Sequence, residues 1–199
     1  MFAFGLMVVE NLRWDVLGEA AKEAKKRALT LMTTRTDEIE NTINGYSSFF
    51  LQSGYRCPLS GQFQKTRQAG LPAIMPLVDI LLATEMSHGV LAGIQDRDRI
   101  EGRITFDLAE EDEVFLGMRS NVKCKAGEPI LRDSRGIIAS YMQGPDSKTK
   151  VSEATKNAVL FFFSAPGLSV ERLTSAMDFA EESLKSASTL GERVLLQGP

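Results

Sequence analysis

Few residues in this chain have the chemistry to catalyse anything. Its one histidine, His88, stands beside Gly89, and Asp79, Asp96 and Asp98 lie on either side of it in the same stretch. A histidine with carboxylates is ordinary material for general acid–base catalysis. One histidine and two cysteines, Cys57 and Cys124, without C-x-x-C spacing, do not assemble a zinc site, and no metal or cofactor is expected. The chain has no G-x-S-x-G elbow, G-x-x-x-x-G-K-S/T loop, H-E-x-x-H pair or dinucleotide fingerprint. His88 therefore reads either as a general base or as a capping or surface residue. Asp79 is a lone acid on an apolar helix and is better suited to accepting backbone N–H bonds from a neighbouring loop than to taking protons. Asp96, Asp98 and Arg99 suit a turn whose carboxylates accept N–H groups and whose arginine pairs locally. These four residues would organise a site rather than perform its chemistry.

The elements that must position them run from Ala69 to Arg103. Pro76 fits the first turn of a helix, where its missing N–H costs little, and Leu77, Val78, Ile80, Leu81 and Met86 give that helix apolar faces. After Gly89 the pattern breaks into a glycine loop, Gly93-Ile94-Gln95. A charged turn over Asp96 to Gly102 then leads to a strand at Arg103–Leu108. Upstream, an apolar strand is expected over Phe2–Val9, a helix with Leu17, Ala21, Ala24, Ala28 and Leu31 on one face, a helix over Asp37–Leu51, and a short helix over Leu59–Gln68. Downstream, strands are expected at Val114–Met118, Pro129–Arg132, Ile137–Met142 and Ala158–Ser164. Ser169 caps a last helix, and the tail Leu190–Pro199 is expected to be loose. Strands without strict helix alternation imply an α+β fold, with a mostly antiparallel, sandwich-like sheet and flanking helices in one domain.

With 199 residues, 43% of them hydrophobic and 25% charged, the chain reads as a globular, cytoplasmic protein. The apolar start is too short to span a membrane and lacks the features of a signal peptide. A net charge of −3 argues against gripping nucleic acid by bulk electrostatics, yet it leaves room for a local patch. Lys148, Lys150 and Lys156 lie close in sequence and form either a solvated surface or a phosphate-facing rim. Tyr46, Phe49 and Phe50 could stack on bases, but aromatics at helical spacing are more often core. The polar stretch Gln143–Lys150 has the strongest functional character of any loop.

Two stretches carry a family resemblance. VDILLATEMSHGVLAGIQDRDRIEG is similar to a segment of the bacterial phenylalanyl-tRNA synthetase beta subunit, in which a V-D helix leads through a glycine loop to D-x-D-R-I-E-G. The run Lys148-Thr149-Lys150-Val151-Ser152-Glu153-Ala154-Thr155-Lys156-Asn157 resembles that subunit's polar stretch before a strand. Both belong to the B3/4 domain, the module of the synthetase that edits wrongly charged tRNA, and free-standing B3/4 proteins have similar length. The resemblance covers Ala69 to Phe163 and implies a mixed, sandwich-like fold with tRNA or aminoacyl-tRNA as partner.

Carried over by position, the family's editing residues do not persist. Leu82 stands where the synthetase has an asparagine, Gly93 where it has a histidine, and Ser147 where it has a glutamate. The resemblance therefore implies a pocket around Leu82, Gly93, Ser147, Lys148, Thr149 and Asn157, with Lys148, Lys150 and Lys156 toward RNA phosphates, and leaves the recognised amino acid open. Two functions follow: a deacylase clearing mischarged tRNA in trans, or a non-catalytic module binding RNA, an amino-acid-like ligand or a protein partner. Motifs for amino-acid activation are missing, so the chain is not expected to be a synthetase itself.

Overall fold

The computed structural model describes residues 3–197. Phe2, at the start of the expected first strand, and residues 198–199 lie outside the described residues. The chain opens with strand β1 (Ala3–Glu10) and four helices: α1 (Trp14–Thr34), α2 (Thr36–Gln52), α3 (Pro58–Ala69) and α4 (Pro76–His88). Spacing at three and four residues explains α1, whose Leu17, Ala21, Ala24, Ala28 and Met32 are buried while Lys22 and Lys26 face outward. Helix α4 is apolar nearly all round, as a helix packed on several sides must be, and Pro76 occupies its first turn. Gly89 closes it in the left-handed region, with φ 66°, and donates its N–H to Glu85 O at 2.7 Å.

Strand β2 (Leu91–Asp96) follows, then a 3-10 turn at Arg97–Arg99. Beyond it lie β3 (Thr105–Leu108), β4 (Val114–Leu116), β5 (Asn121–Lys123), β6 (Pro129–Asp133), β7 (Gly136–Ser140) and β8 (Gly144–Pro145). The chain ends with β9 (Ala158–Phe163), α5 (Val170–Leu184) and β10 (Thr189–Gln197). Every strand pairing is antiparallel. One sheet runs β10-β1-β9-β2, a second β3-β6-β7-β8, and β4 with β5 forms a separate hairpin. The architecture is α+β.

Besides the short strands β5 and β8, which the sequence reading did not expect, two segments differ from it. Gly93-Ile94-Gln95 lies not in a glycine loop but in the middle of β2, an edge strand paired to β9. Leu91, Gly93 and Gln95 face one side and Ala92 and Ile94 the other, and both sides are covered, so no polar–apolar alternation marks the strand. The tail, expected to be loose, pairs with β1 over most of its length as β10. Its hydrogen bonds come from a partner at the opposite end of the chain, which local pattern does not reveal.

The first sheet has a core on each face. On one, Met7, Val9, Ile94, Leu160 and Phe162 pack against α1, α4 and α5. On the other, Phe4, Leu91, Val159, Phe161 and Phe163 meet α2, α3 and the second sheet through Tyr46, Phe50, Leu131, Ile138 and Tyr141. Tyr46, Phe49 and Phe50 accordingly belong to or border this core: Tyr46 donates its hydroxyl to Phe163 O, and Phe49 and Phe50 pack on Tyr141. Both cysteines are free thiols.

Candidate functional site

Between β2 and the β7–β8 turn lies a cavity of about 270 Å³. Its wall is largely apolar, with Leu91, Tyr141, Met142, Phe161 and Phe163 among its side chains. It exists because the second sheet stops short of β2. Among the described residues the strand has no ladder partner on that side: Glu85 and Thr149 meet its two ends, and Gly144 and Pro145 lie across the space between. Gly93 lines the space, and a Cβ built there would meet nothing within 4 Å. Exposed Arg56 is the one charged residue among the described residues that line it.

Gln95 also lines the cavity and is 1% exposed. Its Nε2 donates to Ile138 O and, at 3.4 Å, to Asp146 Oδ1. Two acceptors on one side fix which end of the amide is the nitrogen, and Oε1 is left without a partner among the described residues. A buried carbonyl without a donor is costly, which makes Gln95 the polar group in this wall with most to gain from a ligand.

Behind the strand, Glu85 of α4 is buried and accepts the N–H of Ala92 at 3.0 Å. Burial disfavours its anion and pushes its pKa up to about 8, only partly offset by that N–H. His88 is buried too, so the surface reading does not hold. Its Nδ1 lies 2.8 Å from Ser87 Oγ, its ring packs edge-on against Phe179, and burial pushes its pKa down to about 4. It is not among the residues lining the cavity.

The remaining residues singled out from the sequence fall in several places. Asp79 accepts the N–H groups of Ile74 and Met75 at 2.8 and 3.3 Å and pairs with Lys25 at 2.6 Å, holding the approach to α4. Asp96 accepts from Asp98 N at 3.0 Å and from Thr155 Oγ1 at 2.8 Å, and Arg99 Nε lies 3.5 Å from it. Asp98 accepts from Asn157 Nδ2 at 2.8 Å, and Asn157 Oδ1 takes the N–H of Asn11. These bonds tie the charged turn to the chain entering β9.

Of the six pocket residues, Gly93 lines the cavity. Leu82 packs against the second core, Ser147 bonds Leu116 O, and Lys148 and Thr149 border a separate small cleft with Arg99 and Asp146. Asp146 braces the polar loop by accepting the N–H groups of Lys148 and Thr149, each at 3.2 Å. Lys148, Lys150 and Lys156 are exposed. The sequence reading missed Gln95 and the aromatic wall of β9. A glutamine flanked by Ile94 and Asp96 carries no signal until the strand is seen to have a buried edge.

Among the described residues no group of histidine, cysteine, aspartate or glutamate side chains could hold a metal ion. No described helix is long and apolar enough to cross a membrane.

Comparison with known proteins agrees with this architecture. Among solved structures, an N-terminal fragment of the phenylalanyl-tRNA synthetase beta-subunit from Pyrococcus horikoshii superposes with a TM-score of 0.55 at 14% identity, covering 98% of this chain and 50% of that one. The chain thus spans about half the length of that fragment, and at such identity the likeness is one of fold. No curated protein matches the sequence. The B3/4 domain family matches residues 62–188, a stretch that holds β2, β7, β8, β9 and nearly all of the cavity wall. By that match, over more than half of its length, the chain belongs to the B3/4 domain family.

Proposed function

We propose that the cavity receives the amino-acid moiety of an aminoacyl-tRNA and that the protein clears mischarged tRNA in trans. The observation that carries this reading is the cavity itself: a mostly apolar space of about 270 Å³ inside the segment that matches the B3/4 family. Such a space suits one apolar side chain with a few polar groups to orient it. Gly93 keeps it open, while the exposed Lys148, Lys150 and Lys156 are the proposed phosphate contacts for the acceptor end.

Among the described residues that line it there is no carboxylate, histidine or thiol. Ester hydrolysis here rests on a positioned water, main-chain donors and the substrate's own ribose hydroxyl. The same observation favours a second reading, a non-catalytic module that binds an amino-acid-like ligand, RNA or a protein partner.

Amino-acid release from a panel of labelled aminoacyl-tRNAs, including tyrosyl-tRNA(Phe), separates the two. Release above the spontaneous rate by the wild-type protein, abolished in Gly93→Leu, supports editing through this cavity. A folded protein that releases nothing across the panel rejects hydrolysis in favour of the binding module.

A further inference from the structure

We propose that the open edge of β2 is itself a recognition element. The main chain of Ile94 pairs with the α-amino and carbonyl groups of one L-aminoacyl unit, as a residue of an added strand would. This rests on the cavity reading above and specifies how the ligand is held.

The pairing register identifies the groups. Leu91, Gly93 and Gln95 stand opposite Phe163, Phe161 and Val159 on β9. In an antiparallel ladder a residue's N–H and C=O point to the same side, and successive residues alternate. The bonds around β2 show which set faces outward. Ala92 turns its N–H away from β9 to Glu85 at 3.0 Å, and Asp96 turns its own to Thr149 O at 2.7 Å. Arg97, one residue on, donates back to Asn157 O at 2.9 Å, beside the start of β9.

Ile94 lies between Ala92 and Asp96 and faces outward with them, but its N–H meets no partner among the described residues. What Ile94 shows the cavity is backbone. The side chains of Ala92 and Ile94 pack into the core on the helical side of the sheet, yet both residues line the cavity. The edge therefore offers one N–H and the C=O groups of Ala92 and Ile94, closed off at either end by Glu85 and Thr149.

That pattern is complementary to a single amino-acid unit. The acyl oxygen accepts from Ile94 N–H, the α-ammonium donates to Ile94 C=O, and the side chain enters the apolar wall. A bound ammonium needs acceptors, and the lining residues hold no carboxylate to supply them. The β2 carbonyls and the unpartnered Gln95 Oε1 are the acceptors available. A main-chain anchor ignores side-chain identity, so it selects for a free α-amino group and for L configuration, while the apolar wall selects the side chain.

The test is an NMR titration of the wild-type protein with L-leucinamide, D-leucinamide and 4-methylpentanamide, the analogue lacking the amino group. L-Leucinamide is expected to shift the Ile94 amide proton downfield, and losing the amino group or inverting the centre is expected to weaken binding roughly tenfold. Ile94→Pro removes an N–H that the ladder does not use, the kind of position at which an edge strand tolerates proline. It is expected to weaken L-leucinamide and 4-methylpentanamide alike, since both present the acyl oxygen that this N–H binds, while the preference for the amino group, held by the Ile94 C=O, persists. If that variant fails to fold, the wild-type titration decides alone.

Shifts at Tyr141 and Met142 with Ile94 unmoved, or equal affinity for all three probes, would overturn the edge and leave the cavity reading standing. Absence of any shift around the cavity with every probe would overturn both.

Discussion

The N–H of Ala92 donates to Oε1 of Glu85 across 3.0 Å, tying the edge strand β2 to the helix that precedes it. The cavity is bounded on one side by a strand whose position depends on a buried carboxyl. Because burial raises the Glu85 pKa to about 8, that carboxyl carries its proton at neutral pH.

Stability should therefore fall on the alkaline side. An acid whose folded pKa is raised binds its proton more tightly when folded, so its contribution is complete below the ordinary value of 4.5 and lost as pH rises to about 8. His88 has the opposite sign, since its folded pKa of about 4 makes stability rise with pH up to the ordinary 6.5. The window from about pH 6.5 to 8.5 isolates Glu85. Glu85→Gln keeps an acceptor for Ala92 and is expected to flatten the fall, gaining roughly 2–4 kcal/mol over wild type at the alkaline end. Urea midpoints across that window measure it, and parallel curves for the two proteins would refute it.

Gly93 separates fold from function. Its Cβ position is empty space and its backbone is extended, so Gly93→Ala is expected to leave stability unchanged or raise it by about 0.5–1 kcal/mol. Gly93→Leu puts a branched side chain into the cavity and is expected to abolish ligand binding while the thermal midpoint stays near wild type. A large loss of stability in either variant would show that the glycine serves packing.

Gly89 gives the reverse result. Its φ is 66°, and an added Cβ would sit 2.9 Å from Ile39 O. Gly89→Ala is expected to cost about 2–3 kcal/mol in denaturant unfolding, from left-handed strain plus the displacement of α2. A change below about 0.5 kcal/mol would contradict this.

Asp146 is buried and takes N–H bonds from Lys148 and Thr149, and the Thr149 hydroxyl. Asp146→Ala leaves those donors and Gln95 Nε2 short of an acceptor, with an expected loss of about 2–4 kcal/mol. Hydrogen exchange should then rise across the segment from Gln143 to Lys150. Protection equal to wild type there would remove the bracing role.

Lys148, Lys150 and Lys156 are exposed, so replacing all three with alanine is expected to leave the unfolding midpoint unchanged. If they face phosphates, the slope of tRNA affinity against salt becomes shallower by about 0.7 for each single-strand phosphate that no lysine neutralises any more. Gel mobility at two salt concentrations measures this, and an unaltered slope would return them to solvated surface.

Much of this protein was legible in its residues. Helices α1, α4 and α5 follow from apolar spacing with Pro76, Gly89 and Ser169 as punctuation, and β6, β7 and β9 from short β-rich runs between turns. The family was legible as well, through the charged turn and the lysine-rich stretch before β9. In both cases the information is local, carried by neighbours within a turn or two.

The tertiary structure alone decided what is not local. It made Leu91–Asp96 a strand with both faces buried, and it recruited the end of the chain as β10 beside β1. It drew Gly93 and Gln95 toward Tyr141, Met142 and Phe161 while leaving Leu82, Ser147 and Asn157 elsewhere. Gln95 and Glu85 gain their character from desolvation, which depends on what the rest of the chain places around them. The cavity arises because the second sheet ends before reaching β2, and an unmade strand pairing leaves no trace in the spacing of either strand.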